Sequence, residues 1–459
     1  MINFWDFNAW GFFNLLSVLL ASLLVASIIK KCVPILKRSL IPNSVLGGGV
    51  LIVVAGIYKA ITGDILFDTP FFGGNGTANL ELLTYHCLAL GFIAATFKSG
   101  SGKLTRKRTV EIFNTGVTTV STYLLQAVLG LAISMVAALI VKGFFPAAGI
   151  LLPFGYGQGT GQALNYGTIY ENDFGFIGGK SFGLTVAALG FLSASIGGVI
   201  HLTVLKRKGI VTGHTDTEGN LRSEQIQAEG EIPMQESVDK LTVQISFIGV
   251  AYLLAYLLMM LLGALLPGMK SVIFGFNFLL GVLSATLVKA FINTLRRKGA
   301  IRRIHINDFL MTRASNFFYD LMVVAGIAAI RLSALEKYWG IILIMGVVGL
   351  VTTYAYNYFV AKKLFPEYVQ EQFLTMYGML TGTASTGVIL LREIDGDFKT
   401  PAADNMVYQN FPAIVFGFPL MLLATLAPKQ PVLTLIILIG FFLVMNVILF
   451  RSFIFKKKK

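Results

Sequence analysis

The chain has 459 residues, of which 55% are hydrophobic and only 13% charged, and its mean hydropathy is +0.74. Soluble domains carry roughly 25% charged residues, so a soluble fold of this length is excluded. Two cysteines, Cys32 and Cys87, rule out a disulfide scaffold, and neither has a CxxC neighbour. The formal net charge of +14 falls in short basic clusters between long uncharged runs. That pattern is a topology signal rather than a nucleic-acid surface.

A hydrocarbon core about 30 Å thick needs roughly 20 apolar residues in a helix. This window predicts five spans at Phe12–Ile29, Ser44–Thr62, Leu80–Phe97, Val110–Val141 and Phe182–Leu205. Six more follow at Leu241–Leu266, Val272–Ile292, Asp308–Ile330, Trp339–Ala361, Asn405–Leu426 and Val432–Phe450, eleven in all. Met1–Trp10 lacks the cationic start of a cleavable signal, so the first span is read as retained. Basic clusters at 30–38, 98–108, 206–208, 296–303, 362–363 and 451–459 alternate with loops holding isolated lysines and arginines. The positive-inside rule makes the clustered side cytoplasmic and the N-terminus external. Asp216, Glu218, Glu224, Glu229, Glu231, Glu236 and Asp239 face only Arg222 across 216–239, which reads as a solvated cytoplasmic linker at 206–240.

The fold class expected is an all-α polytopic membrane protein. Span starts in the two halves are offset by a nearly constant 223 to 229 residues, with five spans between the starts of the halves. The second half then enters the membrane from the opposite face, the pattern of an inverted-topology repeat. The domain boundaries expected are a five-helix repeat at 1–205, the linker at 206–240, an inverted five-helix repeat at 241–427, and an extra helix with a basic tail at 428–459.

Each half holds one glycine-rich interval too polar for a span, near 145–170 and near 370–393. A short apolar arm, a small-residue tip and a second arm predict a re-entrant hairpin in each. Either interval alone reads sooner as a plain loop; two at matching places in an inverted repeat reverse that and favour a site. Non-helical backbone survives at membrane depth only when buried in protein or lining a wet cavity. Thr160, Thr381, Thr383, Ser385 and Thr386 offer hydroxyls beside the tip carbonyls, hard oxygens suited to Na+. Helix N-termini beyond the tips favour an anion, and Gln158, Gln162 and Asn165 add neutral donors and acceptors.

The tracts Gly155-Tyr-Gly-Gln-Gly-Thr-Gly-Gln162 and Leu380-Thr-Gly-Thr-Ala-Ser-Thr-Gly387, followed by Leu390-Leu-Arg-Glu-Ile-Asp395, resemble the bacterial sodium/glutamate symporter family. The likeness extends over nearly the whole chain in span order. It implies two inverted five-helix halves with paired re-entrant loops, Na+ as co-transported ion, a homodimer and a multi-pass bacterial cell membrane location. The family's double-glycine tips are replaced here by Gly155-Tyr-Gly-Gln and Gly378-Met-Leu-Thr.

The expected substrate contacts are Gln158, Thr160, Gln162, Asn165, Ser385, Thr386 and Arg392, the last as a carboxylate clamp or an interfacial anchor. The expected Na+ ligands are Gly157, Gly159, Thr381, Thr383, Asn316 and Asp320. Arg313, Asn316 and Asp320 share one helix face, and ionisable groups inside a span are functional candidates. Asn114, Gln126, Gln409 and Asn410 read as interhelical hydrogen-bond partners or cavity lining.

Enzyme readings fail on spacing. A phosphate loop ending at Gly179-Lys180-Ser181 requires glycine where Phe174 stands, and the four histidines are scattered. The expected partners are the bilayer and a small anionic substrate, with no organic cofactor and no nucleic acid. A sodium-coupled glutamate symporter is the leading expectation, a citrate-type hydroxycarboxylate carrier the alternative within transport, and an ion channel with Thr381–Thr386 as its filter the rival from another class.

Overall fold

The structure, a computed structural model, describes residues 5–38, 40–98, 105–209, 231–234, 238–395 and 399–454. Most of the acidic linker, Lys103 and the lysine tail at 456–459 lie outside the described residues, as does the side chain of Ser385. Every main element is helical: α1 Phe7–Cys32, α2 Asn43–Thr62, α3 Gly76–Phe97, α4 Arg106–Ile140, α5 Leu151–Phe174, α6 Gly179–Arg207, α7 Lys240–Leu265 and α8 Asn277–Arg297. These continue as α9 Asp308–Ala328, α10 Trp339–Leu364, α11 Val369–Thr381, α12 Ala384–Arg392, α13 Ala402–Tyr408, α14 Asn410–Leu426 and α15 Pro431–Leu449. Among the described residues no strand forms, and a lone β-bridge joins Glu231 to Ile304.

Nine of the described helices are long and apolar enough to cross a membrane, ten if α13 and the part of α14 from Pro412 form one bent span. Leu139 (88% exposed), Ile140 (78%) and Ile61 (78%) point outward, which hydrocarbon tolerates because lipid tails are as apolar as leucine. This is a multi-pass membrane architecture. Two of the eleven predicted spans fall short of that measure. The helix α9 carries Asp308, Arg313 and Asp320, and the predicted 405–426 span is broken where α13 ends and α14 begins.

The chain forms two compact units that cut across the sequence halves. The larger comprises Met1–Glu81, Lys103–Thr215 and Val323–Lys459; the smaller comprises Leu82–Gly102 and Asp216–Met322. The division falls inside α3 and α9. In the larger unit α4 is central and packs on α5, α10, α14 and α15. Small residues allow the close approach: a Cβ on Gly116 would fall 2.6 Å from Pro412 Cγ, and Gly130 packs directly on Gly149.

The smaller unit has its own core, with Ile93, Phe97, Ile248, Ala285 and Met311 buried together. The end of the linker is anchored there. Glu231 Oε2 accepts from Lys240 Nζ (2.7 Å) and from Asn307 Nδ2 (2.7 Å), and the two charged side chains are only 7% and 1% exposed. Removing one partner of such a pair strands a buried charge and costs about 3–5 kcal/mol. Glu231→Gln is therefore expected to lower the melting temperature of detergent-solubilised protein sharply. Adding Lys240→Met to that variant should restore most of the loss, and failure of the double variant to recover would refute this account.

Candidate functional site

Two glycine-rich segments of the larger unit interrupt their helices. In α5 the break is at Gly159, whose φ of 76° and ψ of −169° are non-helical. The arms on either side lie together: the Phe154 and Tyr166 rings stack with centroids 3.9 Å apart, and Phe145 meets Tyr170 at 5.4 Å. Residues twelve apart in a straight helix would stand about 18 Å apart, so the chain folds back at Gly159. The second break separates α11 from α12 at Gly382 and Thr383, where Thr383 is extended. These two helices also pack side by side, because Gly378 and Gly387 face each other; a Cβ on Gly378 would fall 2.8 Å from Gly387 Cα. Their 13 and 9 residues give lengths of about 20 and 14 Å, too short to span a bilayer alone.

Both tips converge on α4 and α6. Tyr123 of α4 donates its hydroxyl to Gly157 O (3.0 Å), and one turn on Gln126 donates Nε2 to Leu380 O (3.0 Å) and to Thr353 Oγ1 (2.9 Å). On α6, a Cβ at Gly190 would lie 2.5 Å from Thr381 O and 3.2 Å from Tyr156 Cα. Tyr156 donates to Gly346 O (2.6 Å) and pairs with Ser193 Oγ (2.9 Å), while Tyr377 donates to Ser193 O (2.7 Å). A glycine and a serine one turn apart on α6 thus touch both broken segments.

The site is polar but uncharged. Residues 151–170 and 372–391 contain no ionisable carboxylate, lysine or arginine, so these segments present dipoles rather than full charges. Thr160, Gln162, Asn165, Thr381 and Thr386 are buried, and Gln158 is half-buried. Asn165 Nδ2 donates to Gln162 Oε1 (3.0 Å), whereas Gln162 Nε2 is buried with no hydrogen-bond partner. A stranded buried donor costs about 1–3 kcal/mol, which a ligand oxygen would recover. At the second tip Thr381 Oγ1 donates to Tyr377 O (2.6 Å) and Thr383 Oγ1 lies 3.4 Å from Thr386 Oγ1.

The structure thus brings Gly157, Gly159, Thr160, Gln162, Asn165, Thr381, Thr383 and Thr386 into one compact unit. Arg392 stands apart at the far end of α12, about 12 Å along the helix from Ala384, with its side chain exposed. Asn316 and Asp320 are exposed on α9 and belong to the smaller unit, as does Arg313, whose guanidinium lies 5.0 Å over the Phe309 ring. Asn114 and Gln409 are interhelical partners, accepting from Arg451 (2.9 Å) and from Thr119 (2.8 Å). Tyr123, Tyr156, Tyr377, Gly190 and Ser193 were not singled out by the sequence reading. The Tyr-Gly dipeptide, which occurs at 156–157, 166–167 and 377–378, is the sequence signal that includes two of them.

Below the second pair, His201 is held on both ring nitrogens. Nε2 donates to Gln370 Oε1 (2.7 Å), which leaves Nδ1 to accept from the Tyr354 hydroxyl (2.6 Å). After α12, Asp395 accepts from the backbone of Lys399 and Thr400 (both 2.8 Å) and from the Thr400 hydroxyl (2.6 Å). Burial pushes this carboxyl up, but the Thr400 and Lys399 hydrogen bonds outweigh it and hold the pKa below its ordinary value. A depressed acid stabilises the fold above its unfolded pKa of about 4 and loses that contribution as the pH falls further. Melting curves of wild type and Asp395→Asn should therefore differ most at pH 6, with the gap narrowing as the pH falls below about 4; a constant gap would contradict this.

No protein-family model matches the chain, and no curated protein matches it.

Proposed function

We propose that this chain is a sodium-coupled secondary symporter of a small anionic metabolite, L-glutamate first among the candidates, working by alternating access. The observation that carries the reading is the convergence of two broken helical segments, from separate halves of the chain, on Gly190 and Ser193 of α6. In this reading the halves are inverted five-helix repeats, the segments are re-entrant hairpins entering from opposite faces, and the protein is a homodimer in a bacterial cell membrane. The near-constant offset of span starts and the short arms support it.

The residues divide the work by their chemistry. Tip carbonyls of Gly157 and Gly159 with the hydroxyls of Thr381 and Thr383 supply hard neutral oxygens for Na+. Gln162 Nε2, the first amides of α12, Thr160, Gln158, Asn165, Ser385 and Thr386 meet the anion, since a helix N-terminus contributes about half a positive charge. Arg392 is a long-range electrostatic partner from the end of α12. Asn316 and Asp320 are not needed.

Purified protein in liposomes tests the proposal. An inward Na+ gradient is expected to drive saturable uptake of labelled glutamate within a panel of amino acids, dicarboxylates and citrate. Citrate as the preferred substrate would replace the glutamate assignment, and uncoupled, non-saturating current would identify a channel and refute the symporter. A cysteine at exposed Ala384, on a Cys32/Cys87-free background, should react with an impermeant thiol reagent at a rate changed by substrate with Na+. Differential affinity for two states requires that change.

A further inference from the structure

The helix α4 carries a polar face of which the tips use only Gln126. Thr115, Thr118, Thr122 and Gln126 recur at three- and four-residue spacing and are all buried. They meet α10 and α11 in a ladder: Gln126 with Thr353 (2.9 Å), Thr122 with Asn357 (3.3 Å) and Thr115 with Gln372 (3.2 Å). Between the last two rungs Thr118, Asn357 and Gln372 wall a narrow pocket, completed by apolar side chains including Phe365 and Met376. All of these residues belong to the larger unit.

The oxygens of this cavity outnumber the protons available to them. The Asn357 amide nitrogen donates to Thr353 O (2.9 Å) and to Thr122 Oγ1, so the orientation of the amide is determined by its partners. Its Oδ1 is then left buried with no partner, in a side chain 1% exposed. The Thr118 hydroxyl spends its proton on Asn114 O (2.7 Å) and keeps its lone pairs. Gln372 Oε1 accepts only a long bond from Asn405 Nδ2 (3.3 Å), and Asn405 Oδ1 has no partner either. Water does not resolve the shortage, because the cavity has no room for a water-sized sphere. A bare Na+ ion is smaller than a water molecule and wants only acceptors. Neutral hard oxygens without a carboxylate favour a single positive charge over Ca2+ or Mg2+.

We infer that Asn357 Oδ1, Thr118 Oγ1 and Gln372 Oε1 form a monovalent cation site for Na+, separate from the tips and at least a turn below Thr381 along α11. It stands independently of the transport reading, since it concerns binding by the protein at rest. The test uses the full chain in detergent without substrate, in a Thr383→Ala background that removes a tip ligand. NaCl is titrated at constant ionic strength against choline chloride, and the melting temperature is followed. A saturable Na+-specific rise is expected. Asn357→Leu and the near-isosteric Thr118→Val should each weaken apparent Na+ affinity at least tenfold, and Asn357→Asp should strengthen it.

If Asn357→Leu does not fold, Thr118→Val decides alone. Equal stabilisation by choline, no Na+ response, or an unchanged response in Thr118→Val would overturn the site. Uptake in liposomes separates this from the proposed function. Na+-independent uptake with an intact Na+ binding response would sink the symporter and leave the site; Na+-driven uptake with no response lost in the variants would do the reverse.

Discussion

Gly190→Leu is expected to abolish uptake while the protein still inserts and elutes as a folded species. Even a single Cβ at this position would stand 2.5 Å from Thr381 O and 3.2 Å from Tyr156 Cα, and backbone atoms cannot swing aside as a side chain end can. Overpacking of this kind costs about 1–3 kcal/mol for small additions. Gly190→Ala should accordingly lose roughly 5- to 150-fold in uptake rate, and Gly190→Leu more. The strain falls where the two broken segments meet, so the loss should appear in transport before stability. Wild-type uptake by Gly190→Leu would mean that the convergence of the tips has no part in function.

The second large effect is expected from Gly159→Ala. With φ at 76° and ψ at −169°, Gly159 occupies backbone space that is essentially reserved for glycine, and a side chain there costs about 1–3 kcal/mol. The turn at Gly159 lets Phe154 stack on Tyr166 and presents Gly157 O to Tyr123, so straightening it dismantles the first tip. Uptake should fall by roughly 5- to 150-fold, by the same energy range, with a lowered melting temperature. Gly49→Ala is the matched control: Gly49 is helical, with nothing within 4 Å of its would-be Cβ, and the substitution should leave both measurements unchanged. Equal behaviour of the two variants would show that the break at Gly159 is not required.

The spans were legible because hydrophobic length is a one-dimensional property. A run such as Lys240–Leu265 needs no partner to announce itself, and its start is marked by Asp239, whose carboxylate accepts from Leu241 N and Thr242 N. The two interruptions were legible for a similar reason, since glycine and threonine tips stand out between apolar arms. Where the sequence reading departed from the structure, a local feature had been weighed without its surroundings. Asp308–Ile330 was counted as a span on length although three charges thin its apolar run, and 405–426 was counted as a straight span where the structure has a helix that breaks after Tyr408 and passes as a span only if the bent pair is taken together.

The candidate site was legible only as a set of residue types. Composition and spacing alone determined an all-helical, multi-pass chain, the basic clusters that flank its spans, and two glycine-rich breaks carrying Thr160, Gln162, Thr381 and Thr386. The tertiary structure decided which of these polar residues meet. It put the tips against Gly190, Tyr123 and Gln126, and it assigned Asn316 and Asp320 to a different unit from the tips. The reason is physical: inside an apolar medium, helices are brought together by close packing and by hydrogen bonds between distant polar groups rather than by burial of a hydrophobic face. Those contacts join residues as far apart as Gln126 and Leu380, and no periodicity along the chain records them.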